Sequence, residues 1–113
     1  MIEAICDCGA VRVEVDANAP HAVWDCQCSF CQKRGVLWVY YHPRQVRVIA
    51  GPQATSIYQR ARRRLDFHAC RTCGCTTHWI RVGEDKGPKM GVNARLMDPA
   101  IRRRAQIRRM GRA

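Results

Sequence analysis

The residues of this chain best suited to chemistry are its eight cysteines, and they fall into groups. Cys26, Cys28 and Cys31 lie within one six-residue stretch, Cys6 and Cys8 lie upstream, and Cys70, Cys73 and Cys75 lie downstream. Steps of C-x-C and C-x-x-C are the spacing of metal ligands. Cys8 and Cys73 are each followed by glycine. A tight ligand turn often needs positive φ at that point, so that N–H groups can face the sulfurs. Two such turns complete one tetrahedron, so Cys6, Cys8, Cys70 and Cys73 are expected to share a closed, structural zinc. Cys26, Cys28 and Cys31 lack the glycine and offer three ligands. Three ligands leave one corner for water or substrate, as in catalytic zinc sites. The alternative is that Cys75, His68 or His78 closes that corner; otherwise Cys75 is expected as a small buried residue. Three thiolates blunt the Lewis acidity of the metal and favour a fourth soft sulfur, so the pattern points to thiol chemistry more than to hydrolysis.

Four disulfides are the competing use of eight cysteines. Three pairs are spaced C-x-C, too tight for an easy disulfide ring, and Met1-Ile2-Glu3-Ala4 lacks the start of a secretory signal. The expectation is a cytoplasmic protein with reduced thiols. No apolar run is long enough to span a membrane. A length of 113 residues suits one domain with a small core that metal cross-links would strengthen. The formal net charge is +11, and seven thiolates with two Zn²⁺ would lower it by three, to +8. Much of this charge is local: Arg60, Arg62, Arg63 and Arg64 form one run, and Arg102, Arg103, Arg104, Arg108, Arg109 and Arg112 another. Such runs attract anions of any kind, or are simply solvated. Aromatic residues are not interleaved with them, which weakens a base-stacking reading.

The elements that must position the thiols read mostly as short strands. Val11–Val15 alternates strictly. Strands are also expected over 21–25, 36–41, 46–49, 55–59, 65–69, 76–82 and 90–97, with turns at 18–20 and 51–52 and a loop over 83–88. Asp98-Pro99 has the form of a helix start, an Asp cap followed by a tolerated proline. The helix beyond it is expected to be short and basic, with too few apolar residues to dock firmly. This gives an all-β domain over residues 1–99 and a basic tail over 100–113, whose removal is expected to leave both zinc sites loaded.

At Cys6-Asp7-Cys8-Gly9, Cys26-Gln27-Cys28-Ser29-Phe30-Cys31, Cys70-Arg71-Thr72-Cys73-Gly74 and Val92-Asn93-Ala94-Arg95-Leu96 followed by Asp98, the chain resembles the glutathione-dependent formaldehyde-activating enzymes, a family that includes the centromere protein V type. The resemblance covers residues 3–99. It implies a β-tent fold of antiparallel sheets, a structural zinc on Cys6, Cys8, Cys70 and Cys73, and a catalytic zinc on Cys26, Cys28 and Cys31. The activity it implies is condensation of formaldehyde with glutathione to S-hydroxymethylglutathione, a carbon–sulfur lyase reaction.

The first functional expectation is therefore an enzyme whose partners are a small-molecule thiol, glutathione or another, and an aldehyde. Lys33 and Arg34, close to Cys31 in sequence, are candidates to hold a carboxylate of the thiol cofactor. Ser29 is a candidate oxyanion donor or simply a turn former. Asn93 and Arg95 face either the pocket or solvent. The second expectation is a zinc-stabilised binding module for nucleic acid or a protein partner, which the arginine runs favour. A redox or metal sensor is the third.

Overall fold

The computed structural model describes residues 1–61, 63–82 and 89–110. The loop expected over 83–88, Arg62 of the first arginine run and Arg112 of the second lie outside the described residues. Among the described residues, ten strands form two sheets. The smaller has the order β1 (Ile2–Ile5), β2 (Val11–Val15), β5 (Val46–Ala50). The larger has the order β10 (Gln106–Met110), β3 (Ala22–Cys26), β4 (Trp38–Tyr41), β9 (Met90–Asn93), β8 (Thr76–Arg81), β7 (Leu65–Cys70), β6 (Thr55–Tyr58). Neighbours pair antiparallel except β10 with β3, which run parallel. The all-β expectation of antiparallel sheets thus holds for every pair but one.

Alternation explains how the sheets meet. Along β2, Val11, Val13 and Val15 are fully buried while Arg12 and Glu14 point outward. Val13 and Val15, with Ile2 and Ala4 of β1, pack against Val23, Val39, Tyr41 and Val92 of the larger sheet. This apolar core lies between the sheets, so they lean together over it. Strand β4 serves two masters. Val39 and Tyr41 enter the core between the sheets, whereas Trp38 and Tyr40 join a second cluster with Phe30, Phe67 and Trp79. That second cluster lies on the other face and carries the site.

Several elements differ from the sequence reading. Strand β1 was not expected, yet Ile2 and Ala4 alternate with exposed Glu3 and Ile5. Helix α1 (Ser29–Arg34) starts inside the triple-cysteine loop, where the Cys28 sulfur accepts the Cys31 N–H at 3.4 Å as an N-cap. It ends at Gly35, which takes φ +64. The strand expected over 90–97 stops at Asn93, whose side chain caps a 3-10 turn over Ala94–Leu96. Helix α2 (Pro99–Arg104) forms as expected, capped by Asp98, whose Oδ1 accepts the Ala100 N–H at 2.9 Å.

The region read as a basic tail is α2 followed by β10. Strand β10 docks by backbone pairing, which needs no apolar face. Its register sets Gln106 beside Ala22 and Met110 beside Cys26. The Gln106 N–H donates to the His21 carbonyl, and the Gln27 N–H donates to the Met110 carbonyl, each at 2.8 Å.

Candidate active site

The structure gathers seven of the eight cysteines into two groups, and all eight are free of disulfides. The sulfurs of Cys6, Cys8, Cys70 and Cys73 lie within 4.8 Å of one another. Cys6 and Cys8 come from the β1–β2 turn, Cys70 ends β7, and Cys73 lies in the β7–β8 turn. Two of the separations are 3.7 Å (Cys6 to Cys8) and 3.6 Å (Cys8 to Cys70). A tetrahedral zinc with sulfur ligands has S···S edges of about 3.8 Å, so this donor set fits that ion. Gly9 and Gly74 take φ +82 and +83, the conformation their turns were expected to need. Their N–H groups return to the Cys6 carbonyl at 3.0 Å and the Cys70 carbonyl at 2.9 Å, closing the turns. The Val11 N–H donates to the Cys6 sulfur at 3.3 Å. Backbone N–H groups of Cys75 and Cys8 hold the Cys73 thiol down, to about 6, so it is readily a thiolate.

Cys26, Cys28 and Cys31 form the second group, again with sulfurs within 4.8 Å of one another. Cys26 ends β3, Cys28 caps α1 and Cys31 lies in its first turn. The Trp38 indole N–H donates to the Cys31 sulfur at 3.2 Å. Burial raises the Cys31 thiol, and the indole N–H opposes this only in part. Burial also raises the Cys28 thiol, but hydrogen bonds from the Cys31 backbone and from the Cys31 and Cys26 thiols, with the Arg60 guanidinium nearby, outweigh it and leave that thiol below its ordinary value. Three soft donors at ligand spacing fit a thiophilic divalent ion with a position to spare.

No fourth protein ligand joins this group among the described residues. Cys75 packs instead beside Cys6, Cys70 and Cys73, and its carbonyl accepts the Cys70 N–H at 2.9 Å. His68 and His78 stack on each other at 4.4 Å, with their Nδ1 atoms bonded to the Thr55 and Thr77 hydroxyls. Burial, reinforced by the neighbouring His68, drives His78 down to about 3, so it stays neutral.

The three thiols open onto a cavity of about 660 Å³. This is within the range of small-molecule sites. Its floor is aromatic and apolar, formed by Trp38, Tyr40, Leu65, Phe67 and Trp79. Trp79 packs against β9 there because β9 has a glycine opposite: a Cβ on Gly91 would overlap the Trp79 indole. Arg60, Arg63, Arg64 and Arg81 line the cavity's edge. Lys33 and Arg34 do not line it. α1 turns Arg34 outward, its guanidinium 4.0 Å from the centre of the Phe30 ring and 5.1 Å from that of Tyr58. Closeness to Cys31 in sequence does not by itself bring either residue into the cavity lining. The run at Arg60–Arg64 was visible in the sequence as an anion attractor, but nothing local tied it to cysteines thirty positions earlier.

Ser29, Asn93 and Arg95 also lie outside the lining. Ser29 Oγ accepts from Arg60 Nη2 at 3.4 Å. Asn93 is buried and works as a clamp: its Oδ1 accepts the N–H groups of Leu37 at 3.3 Å and Arg95 at 3.1 Å, while its Nδ2 donates to the Thr76 carbonyl at 2.7 Å. The Arg95 carbonyl accepts from Arg102 at 3.0 Å.

A crystal structure of a Rhodobacter sphaeroides protein is similar in fold and sequence. It aligns with a TM-score of 0.78 at 30% identity, covering 96% of this chain and 99% of that one. The family model described as glutathione-dependent formaldehyde-activating enzyme matches residues 1–109, which takes in both cysteine groups, the cavity and nearly all of β10. The chain therefore belongs to the glutathione-dependent formaldehyde-activating enzyme family.

Proposed function

We propose that the protein is a zinc-dependent carbon–sulfur lyase acting on thiol–aldehyde adducts, with glutathione and formaldehyde as the pair its family suggests. The observation that carries this reading is the three-thiol group facing a cavity with no fourth protein ligand among the described residues. In this reading Cys6, Cys8, Cys70 and Cys73 hold a structural zinc, and Cys26, Cys28 and Cys31 a catalytic one. The latter, when bound, would supply a thiophilic cation that lowers the pKa of a substrate thiol.

The chain's own residues do the rest. The Cys31 N–H and the Trp38 indole N–H hold the Cys28 and Cys31 sulfurs in place. Trp38, Tyr40, Phe67 and Trp79 exclude water from the reacting carbon and hold the small aldehyde against the sulfur. Carbon–sulfur bond formation moves the carbonyl π pair to oxygen, which gains a proton as the thiol loses one. Cleavage of the adduct is the reverse. The eight free thiols suit a reducing compartment, which supports a cytoplasmic location. Among the described residues, no helix is long and apolar enough to cross a membrane.

The test is the rate of S-hydroxymethylglutathione formation, followed by NMR with ¹³C-formaldehyde on zinc-loaded protein, alongside a panel of other thiols and aldehydes. Acceleration over the uncatalysed reaction, lost in Cys28→Ser, supports the reading. No acceleration with any pair would reject it.

A further inference from the structure

Three of the four arginines in the described lining belong to one loop. Arg60, Arg63 and Arg64 connect β6 to β7, and Arg81 ends β8 beside them. Among its described residues the loop is fastened by backbone bonds: the Arg63 N–H donates to the Arg60 carbonyl at 2.8 Å, and the Val82 N–H donates to the Arg64 carbonyl at 2.9 Å. Arg63 takes φ +52, a left-handed conformation that residues with a side chain rarely adopt. Arg60 leans across toward α1, within 3.4 Å of Ser29 Oγ and with its guanidinium 5.9 Å from the centre of the Phe30 ring. The ion pairs among the described residues both use Glu14, on the other sheet, so none of these four arginines has a carboxylate partner there. The described lining contains no Asp or Glu. Each arginine alone would be an ordinary solvated residue. Four of them around one concave, partly apolar site focus a positive potential into it.

The geometry points to a recognition site for the anionic end of the substrate: Arg60, Arg63, Arg64 and Arg81 select thiols that carry two or more carboxylate or phosphate groups. This rests on the reading that a thiol sulfur binds at Cys26, Cys28 and Cys31. The ligand then has three zones. Its sulfur meets the three-cysteine group, its middle lies on the aromatic floor, and its anionic oxygens meet the arginine edge. Guanidinium forks suit this role because their paired N–H groups match carboxylate and phosphate oxygens. A neutral thiol makes only the first two sets of contacts.

The test is equilibrium binding to zinc-loaded, full-length protein, read by the fluorescence of the cavity tryptophans Trp38 and Trp79 and by calorimetry. The probes are glutathione, its diethyl ester, S-methylglutathione and coenzyme A. Glutathione is expected to bind at least tenfold more tightly than the diester. Arg60→Gln and Arg64→Gln are each expected to weaken glutathione and coenzyme A roughly tenfold while leaving the diester unchanged, with Arg64→Lys intermediate because it keeps the charge and loses the fork. The tighter of glutathione and coenzyme A shows whether carboxylate or phosphate suits the edge better. Equal binding of glutathione and its diester, equal loss for both in the arginine variants, or no thiol binding at all would overturn the proposal. S-methylglutathione separates the two layers. If it binds as tightly as glutathione and still depends on the arginines, the sulfur reading fails while the anion site stands.

Discussion

Removing β10 by ending the chain after Ala105 should loosen one metal site and spare the other. Strand β10 pairs with β3 along its whole length, and its last residue sits beside Cys26. The critical bond runs from the Gln27 N–H to the Met110 carbonyl, at 2.8 Å. Gln27 lies between Cys26 and Cys28, so this bond sets the path of the chain through both. A single backbone hydrogen bond contributes about 1 kcal/mol net. Truncation also frees the β3 edge and removes the Met110 sulfur from the Tyr40 hydroxyl, 3.1 Å away, at the cavity wall. Together these losses should weaken metal binding at Cys26, Cys28 and Cys31 roughly tenfold, or about 1.4 kcal/mol. Cys6, Cys8, Cys70 and Cys73 sit on turns that β10 does not touch, so their affinity should hold. The assay is competition with a chromophoric chelator, with metal counted per chain and circular dichroism to confirm the fold. Met110→Leu keeps the carbonyl and should behave nearly as wild type. Unchanged affinity at the second site, or equal loss at both, would refute the reasoning. The sequence had suggested instead that the arginine-rich end could go without effect on either site; the parallel pairing is what changes that expectation.

Other outcomes follow from the same geometry. Cys73→Ser should unfold or precipitate the protein, since it opens the four-thiol cross-link between the β1–β2 and β7–β8 turns, whereas Cys28→Ser should fold and lose only the second metal; matched metal counts and melting curves for the two variants would contradict this. Gly91→Ala should displace the Trp79 indole, lower stability by about 1–3 kcal/mol and shift the tryptophan emission, so an unchanged melting temperature and spectrum would show the wall to be looser than described. His78 stays neutral in the fold because burial, then His68, holds it near 3, while in the unfolded chain it titrates at 6.5. The unfolded state therefore gains a proton first as pH falls, and this contribution is complete above about pH 6.5 and lost progressively below it, by about 2 kcal/mol at pH 5. In urea unfolding, the stability advantage of wild type over His78→Asn should narrow by that amount between pH 7.5 and 5; a constant difference would speak against a neutral His78.

What could be read from the sequence was whatever has a local signature. Ligand spacing and the glycines after Cys8 and Cys73 announced the two thiol groups, and Val11–Val15 announced its strand by strict alternation. Helix α1 had no such signature: six residues are too few to show a helical period, and its cap is a cysteine sulfur. Strand β10 was hidden because backbone pairing at a sheet edge asks nothing of side chains, and Gln106–Met110 is exposed throughout. The cavity was hidden for a different reason. Trp38, Phe67, Trp79 and the Arg60–Arg64 loop are distant in sequence and meet only once β4, β9, β8 and β7 are laid side by side.

The account stands on the three-cysteine site being open to a substrate sulfur. The most direct measurement is X-ray absorption at the zinc edge, on wild type and on Cys28→Ser as the single-site reference, before and after adding glutathione. The second zinc should show three sulfurs and one lighter ligand at first, and four sulfurs with glutathione bound. Four protein sulfurs before any thiol is added, or no change on adding one, would contradict the account.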